Sequence, residues 1–233
     1  MKNIENFNTR AAKRSDNINL VIADANENFK KLNYNVQEVA ILAEDYICAH
    51  FDIDWRINVV ITSSLQWLRI PEDKVGGKTY ASDFIILAVD ADSSKIKTAE
   101  MLVHELAHAI RWGKNAEWSK DLFCELVNEG LAVCLEAEFA KTQSKKTIFL
   151  KTILNRSDKE NRKLCDQLKP HFSDSHHDYD GIFFGNEKYV RWMGYSVGYF
   201  IVQQYLRKTG KTVFEIIDVS YDEVRKMMES FKP

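Results

Sequence analysis

His104-Glu105-Leu106-Ala107-His108 sets two imidazoles four residues apart, with a carboxylate beside the first. The run lies inside the apolar stretch Ala99 to Ile110, which reads as an α-helix. Residues four apart share one helix face, so both rings point the same way. That spacing lets two neutral ring nitrogens hold one Zn²⁺ while Glu105 projects beside the metal's open side. A carboxylate there can take a proton from an attacking water and pass it to a leaving group. The bland alternative is a pair of core histidines satisfied by the backbone. Two histidines bracketing a Glu, with further Glu residues at matching distance downstream, argue against it.

A catalytic zinc takes three protein ligands and keeps one position open. The third ligand is expected on a second helix packed against the first, and Glu125-Leu-Val-Asn-Glu129-Gly-Leu-Ala lies in the right place. Glu129 follows His108 by 21 positions, which leaves room for a turn at Gly113 and a returning helix. The expected metal set is His104, His108 and Glu129, with zinc as the cofactor; Mn²⁺, Co²⁺ or Ni²⁺ would also suit these donors. Glu125, one turn earlier on the same face, is the rival. The carboxylate left over, or Glu100 one turn before His104, is a candidate acceptor for a ligand histidine's second N–H, or simply a solvated charge.

Positioning these groups requires helices after a short β region. Apolar residues at helical spacing suggest two helices between Asn19 and Phe51, parted at Asn33 to Asn35. Ile57 to Thr62 reads as a strand, Pro71 to Gly77 as turn material, and Thr79 to Val89 as a second extended segment. The motif helix should run from about Lys95 to Trp112, buried on nearly all sides, with Gly113 as its C′ residue. Ser119 can cap a helix reaching about Ala140. Further helices are expected at roughly 145–156 and 189–208, with a polar helix or loop to Lys169 and an irregular stretch from His171 to Asn186. Ser220 and Glu223 form a capping box for a terminal helix. The expected class is α+β. Residues 1–18 read as a flexible N-terminus and 19–233 as one domain, with an α/β part to about 113 and a helical part after it.

Composition narrows the function classes. A net charge of −2 over 233 residues argues against a general nucleic-acid binder. No apolar run approaches the roughly 20 residues of a membrane span, and the first 20 residues lack the apolar core of a secretory signal. The 4 cysteines are scattered, with no C-x-x-C pair, and read as reduced thiols. A cytoplasmic location is the simplest expectation, with a peptide or protein as the partner and the oligomeric state left open.

The combination His-Glu-Leu-Ala-His, then Asn128-Glu-Gly-Leu-Ala132, resembles the gluzincin group of metallopeptidases. The later run Gly194-Tyr195-Ser-Val-Gly198-Tyr-Phe-Ile-Val202 resembles a family of predicted Zn-dependent proteases. Together these matches cover about residues 80–205. The resemblance implies a zincin-like fold, a small mixed sheet over an active-site helix, a downstream Glu as third ligand, and peptide hydrolysis. It also implies a Tyr or His from the C-terminal part as oxyanion donor. Tyr195 is the first candidate, His176 and His177 the others, near His171 in the same loop. One position departs from the pattern: thermolysin-like members carry a supporting carboxylate one turn after the ligand Glu, where this chain has Val133.

Gly181-Ile-Phe-Phe-Gly185 is a candidate mobile lid or hydrophobic plug. Asp83 to Val89 is the expected edge strand, on which an extended peptide would add. A regulatory metalloprotein acting on one partner, and a scaffold with a structural metal, are the competing readings. Glu105 counts against the second, because a structural site needs no base.

Overall fold

A computed structural model describes residues 17–115, 117, 119–143 and 146–229. Four strands, β1 (Ile18–Ala23), β2 (Ile57–Thr62), β3 (Val75–Ala81) and β4 (Phe84–Val89), form one sheet in the order β1-β2-β4-β3. The first three neighbours run parallel, and β3 pairs antiparallel with β4. Alternation places Ile57, Val59, Ile61, Ile85 and Leu87 on one inner face, each essentially sealed from solvent. Against that face pack α1 (Val36–Cys48) and α2 (Lys95–Lys114). Then follow α3 (Leu122–Lys141), α4 (Ile148–Leu154), α5 (Asp158–Leu168), α6 (Tyr179–Phe184), α7 (Met193–Thr209) and α8 (Tyr221–Glu229). The architecture is α+β, with a small mixed sheet ahead of a helical C-terminal half.

The helix that carries the histidines is the centre of the molecule. Residues 98–107 are buried without a break, because β3 and β4 cover one side of α2 and α3 the other. Its N-cap is Ser94, whose side chain accepts from Lys97 N–H. The helix ends at Asn115 rather than at Gly113. Gly113 is internal, where a Cβ would meet the Trp55 ring at 2.4 Å. Asp121, not Ser119, caps α3 by accepting from Cys124 N–H.

Several expectations fail for identifiable reasons. The helix expected from Asn19 is instead β1, followed by a 3₁₀ turn at Asn28–Lys31. Ile18-Asn-Leu-Val-Ile suits both periods, and parallel pairing with β2 decides for the strand. Ile18 thus belongs to the sheet; residues 1–16 lie outside the described residues. Thr79 to Val89 is not one strand but most of a hairpin. Val75 to Gly77, taken as turn, opens β3, and the chain reverses before Phe84. Hence β4 is internal, and the edge beside α2 is β3. The expected irregular stretch contains α6. Glu223 N–H donates to Ser220 Oγ as expected, while its carboxylate accepts from Tyr205. No helix among the described residues is long and apolar enough to cross a membrane.

α3 and α7 touch backbone to backbone. A Cβ on Gly130 would lie 2.2 Å from Gly198 O, and one on Gly198 would lie 2.2 Å from Leu126 O. Only hydrogen fits at this crossing, which sits one residue from Glu129. Gly198→Ala should therefore force the helices apart and destabilise the fold by about 1–3 kcal/mol. The urea midpoint should fall with an unchanged slope; an unaltered midpoint would show that the crossing can relax without cost.

Candidate metal centre

α2 presents His104 and His108 on one face, with their Nε2 atoms 3.3 Å apart. Glu129 reaches across from α3, its Oε2 3.3 Å from His104 Nε2 and 3.4 Å from His108 Nε2. Three donor atoms from two helices thus form a near-equilateral triangle. Tetrahedral ligands bound at about 2.0–2.1 Å stand about 3.3–3.4 Å apart, so the spacing fits zinc. Among the described residues this is the group of His, Cys, Asp and Glu donors found close enough to hold a metal. Glu125 is not in it.

The second nitrogen of His104 has its own partner: Nδ1–H donates to Glu136 Oε2 at 3.0 Å. With Nδ1 engaged in this way, Nε2 is the ring nitrogen that could ligate a metal. Glu136 lies seven residues after Glu129 and so returns to the same face of α3. It supplies the support missing at Val133, which is buried against Phe149 and Trp192 instead. Reading one further turn of α3 for a carboxylate would have found it. Thr147 Oγ1 donates to Glu136 Oε1 at 3.4 Å, and Thr147 N–H to Glu100 Oε2 at 2.7 Å. Asp73 accepts from Ile148 N–H, Phe149 N–H and Lys97 Nζ. Glu100 therefore supports the N-terminus of α4, not a ligand histidine, and Glu125 faces the cleft.

Electrostatics make the cluster a cation site. Burial alone would push His104 down, yet Glu129 and Glu136 raise it well above its ordinary value. Burial likewise disfavours ionised Glu129, but His108 and His104 hold it well below the usual carboxylate range. Burial raises Glu136, and burial with the Glu136 charge lifts Glu100 to about 7. Two buried carboxylates around His104 call for positive charge, which a proton or a metal can supply, and the two compete.

Glu105 turns the other way, toward β3. Thr79 Oγ1 lies 2.8 Å from Glu105 Oε2 and 2.9 Å from the Glu105 carbonyl oxygen. Glu105, His104, His108 and Glu129 all line an open cavity of about 890 Å³. Tyr195 closes its inner wall, its ring edge-on to Phe149 at 4.9 Å, Phe183 at 5.1 Å and His104 at 6.3 Å. Burial, then the charge of Glu129, keeps its hydroxyl protonated and thus a donor. Tyr179, which sequence spacing did not single out, lines the same cavity and is raised by burial and by Glu129, Glu125 and Glu105. His171, His176 and His177 are not among the cavity's lining residues. The Gly181 to Gly185 segment is anchored by buried Ile182 and Phe183, while Phe184 stays 49% exposed at the rim.

Removing the His104 support should weaken metal binding without breaking the triangle. Glu136→Ala is expected to lower zinc affinity about 10–100-fold, read by competition with a chromophoric chelator. Equal affinity in both proteins would show that the bond does not tune the site.

A family model described as Predicted Zn-dependent protease (DUF2268) matches residues 15–226. No curated protein and no solved structure matches the chain. The family match takes in the sheet, both helices of the donor triangle and the Tyr195 segment, and the metal named in its description suits the donors found here. The chain belongs to this family of predicted Zn-dependent proteases.

Proposed function

We propose that this protein is a zinc metallopeptidase of the gluzincin type, with a zincin-like fold, that hydrolyses peptide bonds. His104, His108 and Glu129 are the metal ligands and Glu105 is the general base. The donor triangle with Glu105 beside it in an open cleft carries this reading. Zinc held by these residues supplies a Lewis acid that polarises a carbonyl and acidifies water. Glu105 takes the proton of the attacking water and delivers it to the departing amine nitrogen. Tyr195 donates its hydroxyl to the oxygen that gains charge during attack.

The peptide lies extended along β3 beyond Val75, where Ile70 bridges the strand's outer edge; past that point the edge has no strand partner among the described residues. Trp67, 71% exposed, and Phe184 border the cleft and favour apolar side chains near the scissile bond. Cys124, Cys134 and Cys165 are buried thiols, in keeping with a reducing compartment, and we place the activity in the cytoplasm.

The test uses the zinc-loaded protein and a peptide library read by mass spectrometry. Glu105→Gln should bind zinc at one ion per chain yet lose about 10²–10⁴-fold in kcat/KM. Equal cleavage by this variant would refute the mechanism. His104→Ala should lose metal and activity together, and chelator dialysis followed by zinc should abolish and then restore cleavage. Tyr195→Phe should lower kcat about 10²–10³-fold, as removal of an oxyanion donor does.

A further inference from the structure

The strand that borders the cleft also grips the base. Along β3, alternation turns Gly77 and Thr79 inward while Lys78 and Tyr80 are exposed. Thr79 has one hydroxyl proton and two acceptors in reach, the Glu105 carboxylate at 2.8 Å and its own carbonyl oxygen at 2.9 Å. Gly77 supplies the space. A Cβ there would lie 2.5 Å from Glu105 Cγ and 2.8 Å from Oε1. One carboxylate oxygen is therefore bonded to the strand, and the other lies over a residue that has no side chain.

Side chains leave a sheet perpendicular to its plane, whereas strand pairing uses the in-plane N–H and C=O groups. The inward faces of Gly77 and Thr79 can hold Glu105 while their backbone edge stays available for pairing. Thr79 is thus a strand side chain bonded directly to the Glu105 carboxylate. A Glu side chain has three rotatable bonds, and without this grip it would spread over several rotamers.

We infer that β3 is both the docking rail for the peptide and the holder of the base, with Thr79 as a positioning residue that sets Glu105 against the docked chain. The inference rests on the peptidase reading above. Its physical content is registration: peptide and base are referred to the same short strand, so pairing with the strand fixes the carboxylate relative to the scissile bond.

The test compares Thr79→Val, which keeps the shape and β-branching, with Thr79→Ser, which keeps the hydroxyl. Misplacing a catalytic group by about 1 Å can cost about 10²-fold. Thr79→Val should therefore lower kcat about 10–100-fold with KM within about twofold, while Thr79→Ser should stay within about threefold of wild type. Zinc affinity and thermal midpoint should not change in either variant. In a Glu105→Gln background, Thr79→Val should make no further difference to the residual rate, since the group it positions is gone. Unchanged kcat in Thr79→Val, equal losses in the Val and Ser variants, or additive losses with Glu105→Gln would each overturn the inference while leaving the peptidase reading standing. An inactive zinc-loaded wild type would overturn the peptidase reading itself, and this inference with it.

Discussion

His104 is held between two buried carboxylates, Glu129 at one ring nitrogen and Glu136 at the other, and both come from α3. This arrangement dictates how α2 and α3 must lie. A small rotation or slide of α3 would carry one carboxylate away and leave a buried charge unpaired, at a cost of several kcal/mol. The backbone contact at Gly130 and Gly198 locks α3 against α7, and α7 brings Tyr195 to the same ring. The metal triangle is thus the meeting point of three helices whose spacing is set by small residues behind it.

The buried acids around this point would be costly alone. Each is given donors by a neighbouring element: Glu136 by His104 and Thr147, Glu100 by Thr147 N–H, and Asp73 by two amides of α4 and by Lys97. The short helix α4 serves here as a set of backbone donors. It satisfies Asp73, in the loop before β3, and gives Glu100 of α2 one donor, leaving Glu100 Oε1 buried without a partner among the described residues.

The opposite wall of the cleft works by shape. β3 is the edge strand, and its inward positions carry a glycine and a threonine where Glu105 needs space and a bond. The two walls divide the labour, with α3 and α4 fixing His104 and its carboxylate partners and β3 fixing Glu105. Such a division keeps the donor triangle apart from the Glu105 carboxylate.

Much of this was legible in the chain. His104, Glu105 and His108 declare their chemistry through helical spacing, and α2 declares its burial through an apolar circumference. Glu129 was readable as a ligand candidate because a returning helix has few registers, but Glu125 fits the same face and only the packing of α3 separates them. Glu136 obeys a visible period, yet a fully buried Glu cannot be told from a solvated one until its partners are known. The strands were read least well. β1 looks helical by period because its pairing partner lies about forty residues away, and the order of β3 and β4 depends on hydrogen bonds that no local pattern records. Local periodicity and residue chemistry, then, determine which groups can bind zinc and move a proton. Which acid joins the two imidazoles, which supports His104 and which strand holds Glu105 are decided by contacts between distant segments, and those exist only once the helices and the sheet are packed.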